Sequence, residues 1–182
     1  MSQRNSGYER QKDDAYYTPD WVTKALIPHI PSWVKSIWEP ACGTNKIVNV
    51  FHREFPIDVK VHGTDIQDDQ DFLATHIHGR YDAIITNPPF KQSKQFIEHA
   101  LDLMQSTNGF VAMLLPSDYD HAKTRQHLFK NCPQFSKRLV LTRRIVWFER
   151  NDGTDNPSGN HSWWMWDWRQ KGPSTIDYYV EP

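Results

Sequence analysis

Tyr81-Asp-Ala-Ile-Ile-Thr-Asn-Pro-Pro-Phe90 is the stretch on which the fold and the site of this chain depend. Its first six residues are mostly apolar and rich in strand-forming types, which predicts a buried strand over 81–86. The two prolines end that strand, because proline has no backbone N–H and disfavours helix at the residue before it. Asn87 is therefore expected in an extended conformation at the carboxyl end of a strand, where open α/β sheets bind ligands. A polar turn that only joins strand to loop is the structural alternative.

Strands and helices are predicted to alternate along most of the chain. The strands are predicted over 36–39, 59–64, 81–86, 110–115, 139–148 and 162–168. The helices are predicted over 21–29 with Thr18 as N-cap, 46–55, 93–105, and 120–131 with Asp120 as cap. The alternation predicts an α/β fold with a mainly parallel sheet, and the two final strands predict an antiparallel hairpin at its C-terminal edge.

Domain organisation follows from the same pattern. Residues 1–14 are polar and charged, which predicts a flexible N-terminal arm. Residues 15–182 are expected to form one domain, in which 149–161 is a long mobile loop. The predicted elements leave no segment for a separate target-recognition domain.

Composition excludes several classes of protein. No apolar run approaches the roughly 20 residues of a membrane span, and the N-terminus lacks the apolar core of a signal peptide, so we expect a cytoplasmic protein. Cys42 and Cys132 lie far apart without a second cysteine nearby, which argues against a disulfide framework and against structural zinc. His76 and His78 form a close pair without other ligand types beside them, so no metal site is predicted.

The near-neutral net charge of -1 hides a basic segment. Residues 121–150 carry eight Lys and Arg side chains against the single acid Glu149, whereas residues 1–75 carry eight basic and eleven acidic side chains. A segment of this charge density is a candidate phosphate-binding face. A solvated protein surface is the alternative interpretation.

Two groups of residues upstream of Asn87 are placed to contact a nucleoside-like ligand. Glu39-Pro-Ala-Cys-Gly43 lies at a predicted strand-to-helix turn, where glycine allows the backbone to approach a ligand closely; a plain tight turn is the alternative. Asp65 ends the next predicted strand and is positioned to accept hydrogen bonds from both ribose hydroxyls. An exposed loop acid is the alternative there.

Asn87-Pro88-Pro89-Phe90 resembles the catalytic motif of the S-adenosylmethionine-dependent amino methyltransferases. Tyr16-Tyr17-Thr18-Pro19 resembles that family's aromatic-x-Thr-Pro motif, and the turn ending at Gly43 resembles its first cofactor motif. The order of these motifs is that of the DNA adenine-N6 methyltransferases, in a short form similar to phage-type enzymes. The resemblance spans about residues 16–168 and implies a Rossmann-like class I methyltransferase in a bacterial or phage-infected cell.

The resemblance also implies the residues that bind S-adenosylmethionine. Asp71 and Phe72 resemble the family's Asp-Phe pair, whose acid accepts a hydrogen bond from the adenine amino group and whose ring packs on the base. The sequence departs from the family at the second glycine of the first motif, where Asn45 stands. Asn tolerates the left-handed conformation, so we expect the turn to persist. The implied cofactor-binding residues are Tyr17, Thr18, Pro19, Glu39, Pro40, Ala41, Cys42, Gly43, Asp65, Ile66, Asp71, Phe72 and Asn87.

The resemblance implies direct methyl transfer to an exocyclic amine after base flipping. Asn87 and the Pro88 carbonyl would accept the amino hydrogens, within a catalytic motif completed by Pro89 and Phe90, whose ring would stack on the base. The implied substrate-binding residues are Phe90, Lys91, Lys94, Lys123, Arg125, Arg144, Trp147 and Phe148. The implied partner is nucleic acid, namely DNA, and the sequence leaves the oligomeric state open.

Other readings of the same residues stay open at this point. Adenine in RNA or a glutamine amide in a protein would need the same chemistry, although the basic segment favours nucleic acid. A catalytically inactive nucleic-acid-binding module on this fold is an alternative of another class, since a fold does not guarantee activity.

Overall fold

The computed structural model describes residues 18–76, 79–147 and 159–181. Within these ranges the chain forms three α-helices and a seven-stranded sheet. The helices are α1 (Asp20–Leu26), α2 (Lys46–Glu54) and α3 (Ser93–Gln105). The strands are β1 (Ser36–Glu39), β2 (Lys60–Gly63), β3 (Ala83–Thr86), β4 (Phe110–Pro116), β5 (Phe135–Val140), β6 (His161–Asp167) and β7 (Thr175–Tyr178).

The sheet has the order β2-β1-β3-β4-β6-β5-β7. The first four strands pair in parallel, and β6 lies antiparallel to both β4 and β5. The predicted fold class, a mainly parallel α/β sheet with antiparallel strands toward the C-terminal edge, is thereby confirmed. Strand β7 was not predicted; it pairs in parallel with β5 and forms the outermost strand.

The basic helix predicted over 120–131 is wrong. The chain forms two 3₁₀ segments there, Tyr119–His121 and Lys123–Leu128, and the second has no side-chain cap. Of the residues 121–128 only Leu128 is buried. A short polar segment without an apolar stripe gains too little from packing to hold an α-helix.

The bounds of the next predicted strand, 139–148, are also wrong. Strand β5 begins earlier, at Phe135, and ends at Val140. Strand β6 begins at His161, whose carbonyl accepts a hydrogen bond from the Leu141 amide, so the ladder between the two strands ends there.

The core lies on both faces of the sheet because successive strand residues point to opposite sides. On one face, α1 and α2 pack against a cluster that includes Ile85 and Trp163. On the other face, α3 packs against a cluster that includes Ile84 and Trp164. Helices on both sides leave the two ends of the sheet as the surfaces available for ligands.

The chain order creates a switch point between β1 and β3. From β1 the chain moves to one side to form β2 and then crosses back to form β3 on the other side. Loops from neighbouring strands diverge at such a point and leave a crevice at the carboxyl ends of the strands. Residues 40–45 follow β1, residues 64–72 follow β2, and residues 87–92 follow β3.

Candidate active site

A cleft of about 530 Å³ opens at this switch point. Its size is within the range of small-molecule and cofactor sites. Many of its lining residues are among those predicted from sequence: Thr18, Glu39, Pro40, Ala41, Cys42, Gly43, Asp65, Ile66, Asp71, Phe72, Asn87, Pro88, Pro89, Phe90 and Lys91. Tyr17 and Phe148, as well as most of the predicted loop 149–161, lie outside the described residues.

The turn after β1 adopts the left-handed conformation at two positions. Gly43 has a φ of 48° and Asn45 a φ of 61°. Asn is among the few non-glycine residues that tolerate this region, so the turn persists as expected where the family carries its second glycine. Helix α2 begins directly after Asn45.

The Asp65 carboxylate joins the loops after β1 and β2. Its Oδ2 accepts a hydrogen bond from the Gly43 amide at 2.8 Å, and its Oδ1 accepts one from the Gln67 amide at 3.0 Å. The residue is 8% exposed and lines the cleft. Both carboxylate oxygens therefore accept hydrogen bonds from backbone amides of the cleft, an interaction that the sequence did not predict.

Glu39 lies fully buried at the end of β1. Burial raises the pKa of its carboxyl group to about 8, against smaller opposing effects of the Thr86 hydroxyl and the Ala41 amide. The Ala41 amide donates to its Oε1 at 3.2 Å. At neutral pH, Glu39 is thus mainly a protonated, neutral group at the base of the cleft.

The part of the cleft formed by the loop after β2 mixes polar and apolar side chains. Ile66 lines it with 65% of its surface exposed. Phe72 is buried and packs against Trp38 and Phe96. Asp71 precedes it and accepts a hydrogen bond from the Leu73 amide. The exposed isoleucine offers apolar surface for a flat ligand.

Asn87 lines the cleft and contacts Thr18 of the N-terminal segment. Its Nδ2 donates a hydrogen bond to the Thr18 hydroxyl at 3.2 Å. The sequence predicted Thr18 as the N-cap of α1, which is wrong: Pro19 occupies the cap position, without a side-chain cap bond. The two prolines after Asn87 fix the direction of the chain, and Pro88 is buried.

Phe90 joins the cleft to an aromatic cluster. Trp147 lies 6.5 Å from Phe90 and His161 lies 6.3 Å from it, measured between ring centroids. Trp147, predicted as a substrate-binding residue, is buried and packs edge-to-face on His161 at 5.2 Å. Three segments distant in sequence therefore bring their rings together beside the motif.

His161 is a residue of this cluster that the sequence did not single out. Its Nδ1 lies 2.7 Å from the Gly159 carbonyl, which can only accept, so Nδ1 carries the hydrogen. Burial lowers the pKa of the imidazole, with weaker opposing effects of that carbonyl and of Asp118. No sequence pattern could identify it, because its position depends on how β6 pairs with β4.

The predicted phosphate-binding cations differ in their surroundings. Lys94 forms an ion pair with Glu98 at 2.7 Å. The Arg125 guanidinium lies 4.0 Å above the ring of Tyr119, a buried residue. By contrast, Lys91, Lys123 and Arg144 are exposed. Lys123 follows the carboxyl end of β4 and Arg144 that of β5, at the same edge of the sheet as the cleft.

Several other lining residues were not predicted. Thr44 and Lys46 adjoin the glycine turn, so their proximity in sequence was an available signal. The others depend on how the loops fold and carried no signal of their own. The full set is Thr44, Lys46, Ile47, Gln67, Gln70, Gln92 and Phe96.

Searches for two further kinds of site gave negative results within the described ranges. No group of three or more His, Cys, Asp or Glu residues there could hold a metal ion. None of the helices there combines the length and apolarity needed to cross a membrane.

Solved structures share this fold. A protein from Listeria monocytogenes assigned as a class I S-adenosylmethionine-dependent methyltransferase superposes with a TM-score of 0.64 at 17% identity, covering 94% of this chain and 67% of that one. The methyltransferase subunit of a type I restriction-modification system from Streptococcus thermophilus gives 0.60 at 12% identity, covering 90% and 47%. A modification subunit assigned to a type I restriction enzyme from Vibrio vulnificus gives 0.55 at 15% identity, covering 92% and 48%.

The likeness at these identities is one of fold. This chain spans about half the length of the two restriction-modification subunits. No protein-family model and no curated protein matches the sequence.

Proposed function

We propose that this chain is an S-adenosylmethionine-dependent methyltransferase that methylates the N6 amino group of adenine in DNA. One observation carries the proposal: the Asn87-Pro88-Pro89-Phe90 motif lines the same cleft as the Glu39–Gly43 turn and Asp65. If the motif were only a polar turn between strand and loop, it would have no reason to line one cleft together with the glycine turn and Asp65.

The residues of the cleft fit S-adenosylmethionine. The Glu39–Gly43 turn presents backbone to the methionine part, and its Gly43 position is open: a Cβ there would meet no atom within 4 Å. Asp65 stiffens the turn through its bond from the Gly43 amide, and each of its oxygens has a further lone pair that would accept from a ribose hydroxyl. Ile66, Asp71 and Phe72 line the end of the cleft proposed for adenine, where Ile66 offers exposed apolar surface and Phe72 exposes only 2% of its own.

Asn87 and Pro88 supply the acceptors for the target amine. The Asn87 Oδ1 and the Pro88 carbonyl accept the two amino hydrogens and favour a pyramidal nitrogen with its lone pair directed into the cleft. When bound, S-adenosylmethionine would supply an electrophilic methyl group: the N–C bond would form as the C–S bond breaks with its electron pair going to sulfur, and the methylated amine would lose one proton to solvent. The chain contributes position and fixed dipoles rather than a strong base.

Phe90 provides the surface for a flipped base. Stacking on its ring offsets part of the few kcal/mol, roughly, that extrusion from the duplex costs. Trp147 and His161 lie beside that ring.

DNA is supported as the substrate by the exposed cations at the same edge of the sheet. Lys91, Lys123 and Arg144 are candidates for phosphate contact. Two proteins of the same fold are named as subunits of restriction-modification systems. We further propose a short or loosely defined target, read by segments 116–135 and 149–161 of a single domain.

A methyl-transfer assay tests the proposal. Purified protein with radiolabelled S-adenosylmethionine should label duplex DNA, and hydrolysis should release N6-methyladenine. Asn87→Ala should abolish transfer while leaving cofactor affinity, measured by calorimetry, within about threefold. Asn49→Ala, at an exposed position of α2, is the matched control and should remain active.

Parallel substrates separate the alternatives. Labelling of RNA or of a glutamine-containing peptide in preference to DNA would replace the proposed substrate. Absence of measurable cofactor binding would instead indicate a non-catalytic module, and full activity of Asn87→Ala would reject the mechanism.

A further inference from the structure

We infer that Thr18 is a positioning residue that holds the Asn87 side-chain amide in place at the cleft. This inference rests on the proposed function, because it concerns the atom of Asn87 that receives the amine. It assigns the Thr18 hydroxyl a task toward the catalytic motif, in place of the cofactor contact that the family resemblance implies.

The first observation is that the Thr18 hydroxyl is not used where its sequence position predicts. A Thr before Pro-Asp at a helix start normally caps the helix through its side chain. In this chain α1 has no side-chain cap, and its first turn is closed by the Val22 amide bonding to the Pro19 carbonyl. The Thr18 hydroxyl is therefore available for a different partner.

The second observation is the partner itself. The Asn87 Nδ2 donates to the Thr18 Oγ1 at 3.2 Å, across 69 residues of sequence. Thr18 is 4% exposed, so water has little access to this bond. Both residues line the cleft. The contact thus ties the N-terminal segment to the catalytic motif from inside the site.

The chemical consequence follows from the asymmetry of a carboxamide. One end of the group donates hydrogen bonds and the other accepts them. With Nδ2 held by Thr18, Oδ1 is the end of the amide that would accept a hydrogen from the target amine. The reversed amide would direct donors at the amino hydrogens and could not support the pyramidal nitrogen.

Matched Thr→Val substitutions test this role. Thr18→Val keeps the shape of the side chain but removes the acceptor for Nδ2, and should lower the single-turnover rate of methyl transfer about five- to tenfold. Cofactor affinity should stay within about twofold. Thr18→Ser keeps the hydroxyl and should retain most of the rate. If Thr18→Val lowers thermal stability too far for assay, Thr18→Ala replaces it with the same expectation.

Thr23→Val is the control in the same helix. Thr23 is fully buried in α1, and its hydroxyl makes no hydrogen bond within the part of the chain that the structure describes. Its substitution should leave the transfer rate unchanged. Loss of cofactor affinity in Thr18→Val equal to its loss of rate would overturn the inference in favour of a cofactor contact.

A spectroscopic readout does not depend on turnover. The side-chain ¹⁵N–¹H pair of Asn87, identified by its absence in Asn87→Asp, should shift in Thr18→Val and stay in place in Thr23→Val; an unshifted pair in Thr18→Val would contradict the bond. A wild-type protein that transfers methyl to no substrate would overturn the proposed function and this role together. An active wild type matched in rate by Thr18→Val would overturn the role of Thr18 alone.

Discussion

Asp65 and Gly43 are joined by a hydrogen bond of 2.8 Å from the Gly43 amide to the Asp65 carboxylate. The bond connects the loop after β1 with the loop after β2 at the switch point of the sheet. Gly43 lies in a turn and has the left-handed conformation. The Asp65 carboxylate fixes the direction in which the amide of that turn points. The relationship makes Asp65 part of the frame of the cleft.

Removing the Asp65 carboxylate should weaken both the fold and ligand binding. Asp65→Ala leaves the Gly43 and Gln67 amides without this acceptor, and we expect the free energy of unfolding to fall by about 1–3 kcal/mol. Urea titration measures this change, and calorimetry should show weaker binding of S-adenosylmethionine. Asp68→Ala, at an exposed carboxylate nearby, should change stability by no more than about 0.5 kcal/mol. Equal effects of the two substitutions would contradict the bridging role.

Gly63 leaves room for the turn that contains Asn45. A Cβ added at Gly63 would lie 2.8 Å from Asn45 Oδ1 and 3.0 Å from Val48 Cγ2. Gly63→Ala should therefore displace the turn and lower the free energy of unfolding by about 1–3 kcal/mol, as overpacking commonly does. Thermal or urea unfolding measures the loss.

The double variant tests the source of that strain. Asn45→Gly removes the nearest atom and suits the positive φ of position 45. Gly63→Ala should then cost less in the Asn45→Gly background than alone. Strictly additive losses would indicate that the clash with Asn45 is not the cause.

Glu39 should make stability depend on pH. Its folded-state pKa of about 8 lies above the model-peptide value of 4.5, so between these values the folded state holds a proton that the unfolded state releases. Stability from this group is full below about pH 4.5 and is lost as pH rises toward 8. Glu39→Gln cannot titrate, and so it should gain melting temperature relative to wild type as pH rises from 5 to 8. Parallel curves for the two proteins would contradict this assignment.

The exposed cations near the cleft should govern affinity for DNA. We expect Lys123→Glu with Arg144→Glu to weaken DNA binding at least tenfold and to reduce the slope of log affinity against log salt by about 2. Fluorescence anisotropy at several salt concentrations measures both quantities. Lys60→Glu is the control, because Lys60 is exposed at the amino end of β2, on the opposite edge of the sheet. A similar loss in Lys60→Glu would indicate general charge effects.

The local sequence pattern was sufficient to predict the bounds of elements that bury a continuous apolar run or a helical apolar stripe. The predicted bounds of β1 and α3 agree with the structure, because an apolar run or a helical stripe identifies each one. The left-handed turn at Asn45 was also predicted, since it depends on the conformational preference of one residue type.

The errors occur where long-range pairing or packing decides the local structure. The polar residues after Asp120 have helix-forming character but no apolar stripe to bury, and they form 3₁₀ segments. Strand β5 ends at Val140 although its sequence continues to favour a strand, because its ladder with β6 ends there. All four residues of strand β7 are exposed, so it has no buried face that would mark it as a strand.

The sequence by itself determined an α/β fold, an Asn-Pro-Pro-Phe motif at the end of a strand, and a glycine turn with two acids in the order of a cofactor site. These features are local, since each depends on a few adjacent residues. Only the tertiary structure decided that Thr18 binds Asn87, that Asp65 holds Gly43, and that His161 lies beside Phe90. Those contacts join residues far apart in sequence, and the order of strands in the sheet brings them together.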